Sequence, residues 1–144
     1  MKKGIIDFRT HHMGLSVPDL EASIEWYGNV LGFSVEKRME MPAIGAKIAW
    51  LKRGDFRIEL FEMENAAPLP DDRKIPNKDL LTHGWKHLSI EVADAAETLK
   101  TLRENGVEIA MENVVDGVAM GFIRDNAGNL IEINQIGTPF SDAK

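Results

Sequence analysis

The sequence predicts an α+β fold of two tandem modules, each a strand, a helix and three further strands, that together build a curved mixed sheet. Three observations carry this. The stretch His12-Met13-Gly14-Leu15-Ser16-Val17-Pro18-Asp19 returns in altered form as His87-Leu88-Ser89-Ile90-Glu91-Val92-Ala93-Asp94. Each copy leads into a helical pattern and then into extended segments. Some forty-odd residues after each histidine comes a short apolar strand with a central glutamate, Ile58-Glu59-Leu60 and then Ile131-Glu132-Ile133. An offset of 75 positions places His12 on His87, Val17 on Val92 and Asp19 on Asp94, and brings Glu59 close to Glu132. An old internal duplication leaves this kind of trace, consistent in the order of elements and weak residue by residue. The 144 residues read as one domain, with module one over 10–61, a linker over 62–84 and module two over 85–136.

In the first module, Thr10 to Val17 alternates. His12, Gly14 and Ser16 point one way and Met13, Leu15 and Val17 the other, as in a strand with one face on a core. The lead-in, Met1 to Arg9, offers Ile5, Ile6 and Phe8 for packing on the body. Pro18-Asp19 ends the strand, and the Asp19 carboxylate can accept from the free N–H groups of a first helical turn. Leu20, Ile24, Tyr27 and Leu31 then recur at helical spacing, and Gly32 suits the left-handed position that stops a helix. Phe33 to Met41 is extended, Pro42 to Gly45 turns, and Ala46 to Leu51 and Phe56 to Phe61 are strands. In the latter, Glu59 lies opposite the apolar triplet Phe56, Ile58 and Leu60.

The stretch from Glu62 to Gly84 carries Pro68, Pro70 and Pro76, many charges and little periodicity. It reads as an irregular bridge between half-domains, either folded over a site or plainly solvated. The second module then repeats the first. Lys86 to Val92 alternates, with His87, Ser89 and Glu91 on one face. Asp94 caps a helix, Glu97 offers the second half of a capping box, and Gly106 stops it. Val107 to Val115 and Val118 to Arg124 are strands. Asp125-Asn126-Ala127-Gly128 is a turn, Leu130 to Ile136 is the last strand, and Gly137 to Lys144 is a polar tail.

Composition removes several classes of function. A formal net charge of −6 with scattered basic residues disfavours a nucleic-acid surface. The absence of cysteine excludes disulfides and thiolate metal sites. No apolar run approaches the roughly 20 residues of a membrane span, and the N-terminus lacks a signal-peptide core, so a cytoplasmic location is expected. None of the glycines forms a phosphate loop. Ser16 and Ser89 lie on the polar strand faces without a base at triad-like spacing, which argues against nucleophilic catalysis.

What remains is the duplicated His…Glu. With the helices on one side of a curved sheet, His12, Glu59, His87 and Glu132 can all project from the other. Two imidazoles and two carboxylates converging in a cleft suit a borderline divalent cation such as Zn²⁺, Ni²⁺, Co²⁺ or Mn²⁺. Without a cation the two carboxylates would repel, and one would have to take up a proton. A single strand histidine or an Ile-Glu-Leu glutamate is ordinarily just solvated; the pairing at duplicated positions favours a site. His11 is expected to face away from His12, and His83 falls in the linker, so neither is a candidate ligand.

These residues resemble the vicinal oxygen chelate superfamily, which includes glyoxalase I, methylmalonyl-CoA epimerase, extradiol dioxygenases and fosfomycin- and bleomycin-resistance proteins. The resemblance lies in His12 to Phe33, a His-x-Gly-x-x-Val strand followed by Asp-Leu-Glu-x-Ser-Ile-x-Trp-Tyr-x-x-Val-Leu-Gly-Phe, and in the closing Asp125-Asn126-Ala127-Gly128-Asn129-Leu130-Ile131-Glu132. It covers the chain from His12 to Gln135. It implies paired βαβββ modules around one divalent metal ion held by His12, Glu59, His87 and Glu132. That His/Glu/His/Glu set is closest to bacterial-type glyoxalase I, a lactoylglutathione lyase; the epimerase generally has glutamine where Glu59 stands. Ser16 and Met63 occupy positions where glyoxalase I generally has an arginine and an asparagine serving glutathione, so the thiol carrier is open. The resemblance also implies a homodimer and a small-molecule substrate with vicinal oxygens.

The expected activity is accordingly that of a metal-dependent lyase or isomerase of the glyoxalase I type. It would transfer a proton through an enediolate stabilised by the metal. Glu132 is the first choice of base and Glu59 the second. The rivals are an acyl-CoA epimerase of the methylmalonyl-CoA type, an extradiol-type dioxygenase using Fe²⁺ or Mn²⁺, and a drug-binding resistance protein in which the four ligands would be idle.

Overall fold

The structure, a computed structural model, describes residues 4–137. The α+β duplication is present in it. The chain divides into two compact units, Met1–Asn65 and Ala66–Lys144. Hydrogen bonding groups the eight strands into two four-stranded mixed sheets, one per unit.

In the first unit the chain runs through β1 (Met13–Ser16), α1 (Leu20–Leu31), β2 (Ser34–Met41), a 3-10 turn at Pro42–Ile44, β3 (Ala46–Arg53) and β4 (Phe56–Met63). The sheet order is β1-β4-β3-β2, with β1 parallel to β4 and the other pairs antiparallel. A parallel pair needs a long crossover, and α1 begins that connection over one face of the sheet. Its start is set by Asp19, whose backbone is extended and whose carboxylate accepts from the Ala22 N–H at 2.9 Å. Its end is set by Gly32 at φ 71°, a left-handed conformation that costs a side-chain-bearing residue more. Leu20, Tyr27 and Leu31 are buried with Leu51, Ile58 and Leu60. Each such burial contributes about 1.5–3 kcal/mol.

The second unit opens differently from expectation. The linker was expected to be irregular, but it carries a 3-10 turn at Asp71–Lys74 and a one-turn helix, α2 (Pro76–Asp79). The physical reason is Asp79. Its side chain is buried, it pairs with Arg73, and it lies 3.3 Å from Lys86 Nζ. Lys86 also donates to the Asp79 carbonyl at 2.7 Å, and Arg124 Nε donates to the Lys74 carbonyl at 2.7 Å. A buried carboxylate needs such partners, and gathering them folds the segment.

Beyond it come β5 (Leu88–Val92), α3 (Ala95–Glu104), β6 (Ile109–Val115), β7 (Val118–Arg124) and β8 (Leu130–Gln135), in sheet order β5-β8-β7-β6. The pairing repeats that of the first unit, parallel for β5 with β8. Both outer strands, β2 and β6, also carry a register shift near their starts, at Val35/Lys37 and Ile109/Met111. Asp94 caps α3 by accepting from the Glu97 N–H at 2.9 Å. The Glu97 carboxylate instead lies 3.8 Å from Lys100 Nζ, so the capping box is half made. Ile5, Ile6 and Phe8 are exposed rather than packed on the body. The polar tail expected past Gly137 lies outside the described residues.

Two contacts fix how each helix meets its sheet. Glu62 Oε2 accepts from the Leu20 N–H at 2.7 Å, and Gln135 Oε1 accepts from the Ala95 N–H at 3.0 Å. Each acceptor lies three residues past its unit's candidate glutamate and ties the first turn of the helix to the last strand. The Leu20 amide, followed by the Lys47 ammonium, holds the Glu62 carboxyl below its ordinary value. In the second unit α3 approaches β7 over Gly121, where an added Cβ would come within 2.8 Å of Leu99 and 2.9 Å of the Met111 carbonyl.

Gly121→Ala is therefore expected to destabilise the fold by about 1–3 kcal/mol through overpacking. Urea denaturation with an unchanged midpoint would contradict the close approach. For Glu62 the sign is set by its lowered pKa. Its contribution is present above the unfolded value of 4.5 and is lost as pH falls through the lower folded value. Because the group is partly exposed, about 1 kcal/mol or less is expected. Stability curves of the wild type and Glu62→Gln should converge on acidification, and a constant gap from neutral to acid pH would refute the assignment.

Candidate metal centre

In both units the histidine stands one residue before its strand. β1 begins at Met13 and β5 at Leu88, so His12 and His87 end the incoming loops. The parallel register pairs Gly14 with Glu59 and Ser89 with Glu132. Each glutamate thus sits beside the residue two past its histidine, and both side chains leave the face that the helix does not cover. The resulting geometry is nearly the same twice. His12 Nε2 is 3.0 Å from Glu59 Oε2, and His87 Nε2 is 3.2 Å from Glu132 Oε2. The four side chains are 15–31% exposed, half-sunk yet open to a ligand.

The predicted ligands are thus brought together in pairs, His12 with Glu59 and His87 with Glu132. Among the described residues of neither unit does a third histidine, aspartate or glutamate complete a metal-binding group. Within each pair, an imidazole nitrogen and a carboxylate oxygen lie at hydrogen-bonding distance from each other. This is the donor chemistry of a borderline divalent cation.

An aromatic ring backs each histidine. Trp50 is paired with Glu59 across β3 and β4, and Phe122 with Glu132 across β7 and β8. The Trp50 and His12 rings are 4.9 Å apart at a tilt of 41°, and the Phe122 and His87 rings 4.9 Å apart at 87°. Trp50 Nε1 also donates to Glu59 Oε1 at 2.7 Å. Sequence reasoning assigned neither aromatic a place, although the short turn at Arg53-Gly54-Asp55 implies the Trp50–Glu59 pairing.

His11 departs from expectation. Its ring lies 5.2 Å from Trp50, and its Nδ1 is 2.8 Å from His12 Nδ1. Strict alternation fails there because the strand starts only at Met13, and residues before it are free to turn to the same side.

The remaining site-face residues differ between the units. In the first, Phe61 covers Gly14, where an added Cβ would meet its ring at 3.4 Å. In the second, Asn134 Nδ2 donates to Ser89 Oγ at 2.6 Å. Asp125 in the closing motif is a turn builder, its Oδ1 accepting from the N–H groups of Ala127 and Asn129, both at 2.9 Å. That turn sets the start of β8 and with it the position of Glu132.

The family model described as Glyoxalase/Bleomycin resistance protein/Dioxygenase superfamily matches residues 9–133, and the chain belongs to that superfamily. Mitochondrial methylmalonyl-CoA epimerase of Bos taurus is 29% identical over 134 residues, covering 88% of this chain and 74% of its own length. Lactoylglutathione lyase of Salmonella typhimurium is 30% identical over 129 residues, covering 87% and 90% respectively. The crystal structure of a glyoxalase family protein from Enterococcus faecalis superposes with a TM-score of 0.72 at 26% identity, covering 87% of this chain and 95% of that one. No helix among the described residues is long and apolar enough to cross a membrane.

Proposed function

We propose that this protein is a divalent-metal-dependent lyase or isomerase of the glyoxalase I type, acting on a small molecule with vicinal oxygens. His12, Glu59, His87 and Glu132 hold one cation, drawn from Zn²⁺, Ni²⁺, Co²⁺ or Mn²⁺. The single observation behind this is the repeated His–Glu pair, Nε2 to Oε2, made by the same register in both units. When bound, the cation supplies Lewis acidity toward two substrate oxygens and lowers the cost of the charge left when a proton departs from carbon.

The chain's own residues do the rest. The histidines act as neutral donors through Nε2. Glu132 accepts the proton at a carboxylate oxygen as it leaves the carbon beside a carbonyl. It then returns the proton to the neighbouring carbon, while the hydroxyl proton of the first carbon passes to the former carbonyl oxygen, which completes an isomerisation. Glu59 is the second choice for this role. Trp50 packs against His12 and holds Glu59, and Phe61 covers Gly14 beside them in β1.

A second reading, epimerisation of a 2-methyl acyl-CoA ester, is supported by two observations. Ser16 and Met63 stand where a glutathione enzyme would carry an arginine and an asparagine, and the relatives include mitochondrial methylmalonyl-CoA epimerases from three mammals. The proton step is the same, except that the proton returns to the opposite face of the same carbon. Against it stands Glu59, where that enzyme generally has glutamine.

Metal analysis of protein purified without added metal should find about one divalent cation per chain, and His87→Ala should lose most of it; an unchanged content in that variant would refute the ligand assignment. Solvent-deuterium exchange separates the substrates. 2-Oxoaldehyde–thiol adducts should exchange at the carbon beside the carbonyl if the lyase reading is right, and 2-methyl acyl-CoA esters if the epimerase reading is. Glu132→Gln is expected to slow that exchange by roughly 10²- to 10⁴-fold. A rate equal to wild type would remove Glu132 as the base.

A further inference from the structure

Resting on the metal reading above, we infer that Trp50 is a positioning residue that locks Glu59 as a one-oxygen ligand and thereby separates the roles of the two glutamates. The duplication supplies its own control. Trp50 and Phe122 occupy equivalent places, each paired across the sheet with its unit's glutamate and each with its ring 4.9 Å from its unit's histidine. Packing against the histidine is therefore common to both units. The hydrogen bond is not. The Trp50 indole N–H is given to Glu59 Oε1 at 2.7 Å, while Glu59 Oε2 faces His12 Nε2 at 3.0 Å. Phe122 has no donor to give, and among the described residues Glu132 bonds only to His87.

The consequence is mechanical. A carboxylate with one oxygen held by an indole N–H cannot turn about its terminal bond without breaking a charge-assisted hydrogen bond. Trp50 is itself held, because its ring packs against both His11 and His12, at 5.2 and 4.9 Å. Glu59 therefore presents Oε2 alone and stays in place. Glu132 has no such indole tether, and its carboxylate can turn toward a substrate proton. Partners that orient a metal ligand in this way commonly change metal affinity by about 10- to 100-fold.

The test uses the whole chain and four forms of it: wild type, Trp50→Phe, Glu59→Gln and Glu132→Gln. Trp50→Phe keeps a ring against His12 and removes only the N–H, so a packing role alone would survive it. Without metal, the ¹H–¹⁵N spectrum contains an indole signal that disappears in Trp50→Phe. That signal should move in Glu59→Gln and stay in Glu132→Gln. Titration with Co²⁺ should then show Trp50→Phe binding at least 10-fold more weakly than wild type. Its visible absorption bands should also shift as the freed Glu59 carboxylate changes its binding. An indole signal indifferent to Glu59→Gln, or Co²⁺ affinity and bands equal to wild type in Trp50→Phe, would overturn the inference while leaving the metal reading intact. Wild-type protein that takes up no Co²⁺ would overturn both.

Discussion

The parallel pairing of the first and last strands in each unit is the constraint on which the site depends. It is the same twice. The residue two past the histidine pairs with the glutamate, Gly14 with Glu59 and Ser89 with Glu132. A shift of one residue in that pairing would turn each glutamate toward the helix and bury an unpaired charge, which the apolar helix face would not tolerate. The register is protected at both ends. The N-cap aspartates start the helices just after the first strands, and Glu62 and Gln135 tie those helix starts to the ends of the last strands. The site geometry is thus a by-product of contacts that also stabilise the fold.

Against this shared frame the differences between units acquire meaning. The first unit lines its site face with Trp50 and with Phe61 over Gly14; the second uses Phe122 and the Ser89–Asn134 pair. One copy presents an apolar floor with a single indole donor, and the other presents a polar one. The duplication thus kept the donors of each pair and changed what surrounds them.

Much of this was legible in the sequence because period-two alternation and helical spacing are local signals. The faces assigned from alternation put His12 beside Glu59 and His87 beside Glu132, as the structure has them, and the helix caps at Asp19, Gly32 and Asp94 follow from residue chemistry alone. Other features depend on tertiary partners. His11 turns to the same side as His12 because the strand begins later than its alternating pattern suggests. The proline-rich linker folds around Asp79, whose partners Arg73 and Lys86 carry no periodic signature. Gln135 looks like an ordinary polar strand residue until its oxygen is seen on the Ala95 N–H. Trp50 carries no sequence signal of its role, and only the register with Glu59 shows where its N–H goes.

The central claim is that the two His–Glu pairs serve one cation. X-ray absorption of protein loaded with one equivalent of Co²⁺ tests it most directly, because scattering from imidazole rings counts the histidines around the metal. The account predicts two imidazoles per cation, with His12→Ala and His87→Ala each reducing that number to one. A single imidazole per cation in the wild type, with two cations bound per chain at saturation, would show the pairs acting as separate sites and would contradict it.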